Sequence, residues 1–193
     1  MRKLVYIPII HTPEDFGSHL PEVKRQYIAR HGLSKWRDHI KMLEKFWREL
    51  REVLLFLPVD HAKVRLYQDS LPVCGQELEI VEKLARGGNR NYLLLSELAV
   101  KGATVMGTEE PNLLIEERDR LSRKVAIDPN PASSYDELMD RRDEYIAQRI
   151  ASTLEEGEIS LLFIGALHRV VERLPKDIQV HEPLTNLKGE SLK

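Results

Sequence analysis

The alternation of short apolar runs with longer amphipathic patterns constrains the fold of this chain more than any other feature of its sequence. Runs rich in β-branched and aromatic residues predict buried strands at 3–10, 62–68, 103–108, 159–165 and 178–180. The segments between these runs carry apolar residues at helical spacing. Strands separated by helices are typical of βαβ units. We therefore predict an α/β fold with a mostly parallel sheet of four to five strands and helices on both faces.

The longest helical pattern lies between the first two predicted strands, at 34–57. Its charged residues occupy one face, and its apolar residues recur at steps of three and four: Trp36, Ile40, Leu43, Trp47, Leu50 and Leu54. An exposed stripe of this length would leave an apolar patch of several hundred Å², which soluble monomers rarely show. We expect the stripe to be buried against the rest of the chain or against a second copy, so a homodimer through the 34–57 helix is one hypothesis.

The length and composition of the chain fit one globular domain. It has 193 residues, of which 42% are hydrophobic and 31% are charged, without a repeat, a low-complexity stretch or a linker. We predict a single α/β domain over residues 1–181, in which a long helical crossover occupies 20–57. A polar C-terminal tail is expected at 182–193.

Charge and cysteine usage exclude several classes of partner. The formal net charge of −2 provides no basic field that would attract nucleic acid. No stretch approaches the roughly 18 apolar residues of a membrane span, and the run from Leu4 to Ile10 lacks the cleavage site of a signal peptide. The single cysteine, Cys74, suits a reducing compartment. We expect a cytoplasmic protein that binds neither nucleic acid nor membrane.

Polar side chains follow four of the predicted strands. His11 follows the first, Asp69 the second, Glu109 the third and His168 the fourth. In open parallel sheets, ligands bind beyond the carboxyl ends of the strands, near the point where strand order reverses. Neighbouring strands lie about 4.8 Å apart. We therefore expect His11 and His168 to share a ligand if the first and fourth strands are neighbours.

The helix predicted at 134–157 brings an arginine to the same edge. It must run antiparallel to the strands, so its N-terminal half lies near their carboxyl ends. There Arg142 shares a stripe with Met139 and Ile146, and Asp143 lies beside that stripe. A buried arginine is costly unless it is paired, so we expect Glu109 or Asp143 to hold Arg142.

The segment LLFIGALHRV, residues 161–170, allows two interpretations. In one, Gly165 makes a turn after the strand and His168 caps the next segment. In the other, the turn delivers His168 to a functional site. We favour the second, because two histidines and at least two carboxylates are expected at this one edge. No GxSxG, HExxH, CxxC or GxGxxG motif assigns the chain to a more familiar class.

The histidine after the first strand, the late GALH segment and the helix before it together resemble the TraB/TIKI superfamily. This superfamily includes erythromycin-esterase-like and ChaN-like haem-binding proteins. Members place a histidine after the first strand, as His11 stands here, and a GxxH after a late strand, matched by Gly165 and His168. Pro8 stands where the first GxxH of the family has its glycine. The helix before the late strand carries an RD-x-Y/M-(I/A) element in the family, and the matching residues here are Arg142, Asp143, Tyr145 and Ile146.

The resemblance covers about the first fifteen residues and the final third of the chain. It implies a parallel sheet wrapped by helices. TIKI-like members are metal-dependent peptidases that require their GxxH histidines and an acidic residue. TraB-like members quench peptide pheromones, and esterase-like members hydrolyse lactones with a histidine.

From these residues and the resemblance together we predict a metal-dependent hydrolase of a small peptide, amide or ester. His11, His168 and Asp69 would bind a divalent metal, for which zinc, manganese, cobalt and iron are all suitable. Glu109 would be the general base or a further ligand, and Arg142 would stabilise developing negative charge. The alternative is a non-catalytic module in which the same pocket binds a peptide, an anion or haem. A site without any metal is equally compatible with the sequence.

Overall fold

A computed structural model describes residues 1–10, 20–124 and 132–182 of the chain. The strands are β1 (Arg2–Pro8), β2 (Val64–Gln68), β3 (Thr104–Met106), β4 (Ile159–Ile164) and β5 (Ile178–His181). The helices are α1 (Leu20–His31), α2 (Leu33–Leu55), α3 (Glu77–Arg86), α4 (Arg90–Val100), α5 (Pro111–Lys124) and α6 (Ala132–Thr153). Short 3₁₀ helices occupy His61–Lys63 and Val170–Arg173. The tail predicted at 182–193 lies outside the described residues except for its first residue, Glu182.

The five strands form one parallel sheet in the order β3-β2-β4-β1-β5. β4 is the central strand, where Leu161 pairs with Val5 of β1 on one side and with Leu66 of β2 on the other. The predicted α/β fold with a parallel sheet is therefore confirmed. Because β1 and β2 flank β4, the carboxyl ends of these three strands meet at one edge.

Helices cover both faces of the sheet, as the alternation of side chains along β4 requires. Leu161 and Phe163 point to a core that they share with α2, α3 and α4. Leu162 and Ile164 point to a second core that they share with α6 and the 3₁₀ helix after β4. Because β4 is apolar on both sides, helices must cover both faces of the sheet to bury it.

The apolar stripe of α2 is buried within the chain: Trp47, Leu50 and Leu54 belong to the first of these cores, and Trp36 lies against Tyr27 of α1. Its buried members are Trp36, Leu43, Trp47, Leu50 and Leu54, while Ile40 is half-buried. The stripe is therefore covered within one chain, and a homodimer through this helix would have to use its outer face. Among the described residues, no helix combines the length and apolar character needed to cross a membrane.

Element boundaries shift by a few residues from their predicted positions. β3 ends at Met106 instead of 108, because the next residues turn towards the segment after β2: the N–H groups of Thr108 and Glu109 both donate to the carbonyl of Leu71. α6 begins at Ala132 and ends at Thr153, four residues before Gly157. These shifts leave Asp69, Glu109 and His168 at the edge of the sheet.

Candidate functional site

Three of the predicted strand-end residues lie together at the carboxyl edge of the sheet. Asp69 directly follows β2, and its N–H donates to the carbonyl of Phe163 at 2.8 Å, which extends the pairing with β4 to the edge. Glu109 follows β3, and His168 follows β4. His11 lies outside the described residues. β1 reaches the same edge, since the N–H of Ile9 donates to the carbonyl of Ile164 at 2.9 Å.

The turn after β4 places His168 between two aspartates. Its N–H closes the turn on the carbonyl of Gly165 at 3.1 Å. Its Nδ1 lies 2.5 Å from Oδ1 of Asp143, and its Nε2 lies 3.5 Å from Oδ2 of Asp69. The other oxygen of Asp143 accepts the N–H of Arg169 at 2.7 Å. Asp143 therefore fixes both the imidazole and the backbone that carries it.

The surroundings of His168 favour its protonated form. Burial opposes the charge, but the hydrogen bonds and negative charges of Asp143 and Asp69 outweigh it and raise the pKa of His168 to about 9. The imidazole side chain is only 4% exposed. In the metal-free protein, His168 is therefore an imidazolium at neutral pH.

Asp69 contacts both His168 and Arg142 and so links them. Its Oδ1 accepts from Nη2 of Arg142 at 3.0 Å, and its Oδ2 accepts the N–H of Gly165 at 3.0 Å. Burial alone would raise the pKa of Asp69, but His168 and Arg142 together pull it well below its usual range. Asp69 is thus a carboxylate with one oxygen on Arg142 and the other facing the imidazole.

Arg142 is deeply buried and engaged by three carboxylates. Its Nε and Nη2 donate to both oxygens of Glu109, at 2.7 and 2.6 Å. Its Nη1 donates to Glu117 of α5 at 2.5 Å, and Nη2 also reaches Asp69. Burial lowers the pKa of Arg142, but these carboxylates, Glu109 first among them, raise it above its usual value. Arg142 keeps its charge and has most of its donors occupied.

Glu109 has no exposed surface and holds Arg142 through both oxygens. One of these oxygens also accepts the N–H of Ser70 at 2.9 Å. Burial raises the pKa of Glu109 despite the opposing hydrogen bonds and charge of Arg142. For Glu109 to serve as the general base, the pair with Arg142 would have to open. The arrangement instead suits a group that positions Arg142.

The cluster as a whole carries more negative than positive charge. A further cation beside it is Arg173, whose Nη1 lies 3.9 Å from Asp143. With His168 protonated, the positive groups of the cluster within the described ranges are Arg142, Arg173 and His168. They face four carboxylates: Asp69, Glu109, Glu117 and Asp143. This edge of the sheet therefore favours a cationic ligand over an anionic one.

The pairing within the cluster differs from expectation in one respect. Asp143 was a candidate partner of Arg142, but it binds His168, while Glu109 holds the arginine as predicted. Glu117 was not predicted at all, because nothing in its local sequence distinguishes it from the neighbouring Glu116. Its role depends on how α5 packs against α6.

A metal site would need a donor beyond those that the structure describes. In the described ranges, no three histidine, cysteine or acidic side chains are arranged so that they could hold a metal ion. His168 and Asp69 supply two donors that face each other. The third predicted ligand, His11, lies outside these ranges.

Comparison with known proteins finds no counterpart: no protein-family model, curated protein or solved structure matches this chain.

Proposed function

We propose that this chain is a cytoplasmic, TraB/TIKI-like hydrolase that cleaves a small peptide, amide or ester with the help of a divalent metal at the carboxyl edge of the sheet. One observation carries the proposal. Nε2 of His168 and Oδ2 of Asp69 face each other at 3.5 Å, while Nδ1 of the same imidazole is bound by Asp143.

The spacing of these two atoms fits a shared metal ion. Metal–nitrogen and metal–oxygen bonds are about 2.0–2.2 Å, so two ligands of one tetrahedral ion lie about 3.4 Å apart. A histidine that binds a metal typically donates its other ring nitrogen to a carboxylate, as His168 does to Asp143. The surplus of carboxylates would offset the charge of the ion. Zinc, manganese, cobalt and iron(II) all accept such a donor set, which His11 would complete.

A metal bound there would polarise the substrate carbonyl and make water a better nucleophile at neutral pH. The residues of the chain supply position and charge. Asp143 holds the imidazole of His168 in one orientation, and Arg142 holds Asp69. Glu109 keeps Arg142 in place. We therefore assign positioning roles to Arg142 and Glu109, since most of the guanidinium N–H groups already have partners.

The alternative of an anion-binding module is less consistent with this geometry. Arg142 is only 3% exposed and its three nitrogens all donate to carboxylates. An anion placed at this edge would meet a cluster with net negative charge. Measuring the metal content of the purified chain distinguishes a metal-dependent hydrolase from a metal-free binding module.

The test is metal content measured on purified chain, together with hydrolysis of a panel of short peptides, amides and esters. We expect about one metal ion per chain, and its loss in His168→Ala and Asp69→Asn with the fold intact by circular dichroism. His181→Ala is the control, because His181 is an exposed histidine on the edge strand β5. Native protein that takes up none of the four metals, or His168→Ala with unchanged metal content, would overturn the proposal.

A further inference from the structure

A cavity lies between α2 and α4, which cover the face of the sheet opposite α6. Its volume is about 470 Å³, within the usual range of about 300–1,000 Å³ for small-molecule sites. Trp47, Leu93 and Leu94 provide its apolar surface, and arginines provide much of the rest. It shares no residue with the His168 site. Its lining combines an apolar surface with several charges, as in a site for an amphipathic ligand.

Two of the arginines that line this groove are unpaired within the part of the chain that the structure describes. Arg51 is held by Glu97, with Nε and Nη2 each 2.7 Å from a carboxylate oxygen. Arg48 and Arg90 make no hydrogen bond or ion pair with any of the described residues. By contrast, Arg142 at the other site is surrounded by carboxylates. Among the described residues that line the groove, Glu44 is the one other charged residue, so this part of the lining carries a net positive charge.

The positive end of α4 adds to this field. Arg90 is the first residue of this 11-residue helix, whose first turn contains no acidic residue. The N-terminal N–H groups of a helix and its macrodipole favour negative charge nearby. Arg48, Arg90 and the N-terminal end of α4 thus all contribute positive potential to this groove.

We propose that this groove binds a small organic anion that has one carboxylate or phosphate group on an apolar body. The planar guanidinium groups of Arg48 and Arg90 match the geometry of either oxyanion. The apolar body would pack against Trp47 and Leu93, which line the same cavity. The site is separate from the proposed hydrolase centre, since the two share no residue and the hydrolase centre lies at the carboxyl edge of the sheet.

The probes are benzoate and phenyl phosphate, with benzyl alcohol as the neutral analogue. Binding is measured by titration calorimetry, and by tryptophan emission in a Trp36→Phe background, in which Trp47 is the remaining tryptophan. We expect saturable binding of at least one anion with a Kd below about 1 mM, weakened by salt. The anion that binds more tightly identifies the oxyanion class. Absence of saturable binding of both anions, or equal binding of benzyl alcohol, would overturn the proposal.

Substitutions test whether the arginines carry the binding. Arg48→Gln and Arg90→Gln should each weaken it about tenfold or more, and both should fold normally because both side chains are exposed. Arg37→Gln is the matched control, since Arg37 is an exposed arginine on α2 outside the groove. His168→Ala should bind the probes as the native chain does, which keeps this test independent of the hydrolase. Native affinity in both arginine variants would refute the site.

Discussion

The geometry of the candidate site depends on a single residue, the carboxylate of Asp143. Its two oxygens divide between the imidazole of His168 and the N–H of Arg169, so side chain and backbone are held together. The side chain of Asp143 is 1% exposed, which shields these bonds from water. A hydrogen bond to a charged group contributes more than one between neutral groups, so the charge of Asp143 should matter more than its shape.

The substitution Asp143→Asn tests that inference. The amide would keep the shape and one acceptor oxygen but would remove the negative charge that raises the pKa of His168. We expect this pKa to fall clearly below about 9 in metal-free protein, measured by NMR titration of the ring. Asp140→Asn, at an exposed aspartate on the same helix bound to Arg173, is the control. An unchanged pKa would show that Asp69 alone sustains the imidazolium.

The same imidazolium predicts how stability depends on pH. The folded pKa of His168 is about 9, above the unfolded value of about 6.5. The stabilisation is therefore fully present below the unfolded pKa and is lost as pH rises through the folded one. Urea unfolding of metal-free protein should show a decline on the order of 3 kcal/mol across that window. In His168→Gln this contribution to the decline should be absent, and an identical pH profile in the two proteins would contradict the assignment.

Among the connecting elements, the turn after β4 contains a glycine, Gly165, that has little room for a side chain. A Cβ on Gly165 would lie 3.2 Å from Oδ2 of Asp69 and 3.6 Å from Cδ2 of His168. The glycine also donates its N–H to that same Asp69 oxygen. A side chain here would therefore press on Asp69 and come into van der Waals contact with His168, the two groups of the proposed metal pair.

We expect Gly165→Ala to disturb the site more than the fold. A methyl group at 3.2 Å from the Asp69 oxygen requires a shift of a few tenths of an ångström, which should cost about 1 kcal/mol while it lowers metal uptake. Leu167→Ala, at an exposed position in the same turn, is the control. Metal content and thermal unfolding measured on both variants check this. Full metal uptake by Gly165→Ala would mean that the pair adapts freely.

The same elements show which contacts could be predicted from the sequence and which could not. Asp69, Glu109 and His168 were predictable because each follows a strand, and parallel strands end at one edge. Arg142 was predictable because α6 runs antiparallel to them. The full set of partners around Arg142 and Asp143 was not, since adjacent residues on a helix point about 100° apart and meet different elements. Those contacts depend on how α5 and α6 pack, which helical periodicity does not encode.

At the scale of the whole molecule, Arg142 joins parts of the chain that are distant in sequence. From α6 it reaches Asp69 after β2, Glu109 after β3 and Glu117 in α5. The β2 and β3 ends are also tied by the isolated bridge between Pro72 and Glu109. This network therefore connects one end of the sheet to the helices that cover it.

Removal of Arg142 should accordingly destabilise the entire fold. Arg142→Met would leave the wholly buried Glu109 without its cation, and breaking one half of a buried pair typically costs about 3–5 kcal/mol. The double variant Arg142→Met/Glu109→Gln should cost less than the sum of the singles, because no buried charge then remains unpaired within this pair. Urea unfolding of the three variants gives the coupling energy. Arg141→Met is the control, since Arg141 is half exposed and bonded to Glu116. If Arg142→Met costs no more than Arg141→Met, water or a local rearrangement compensates Glu109, and the network does not hold the fold together.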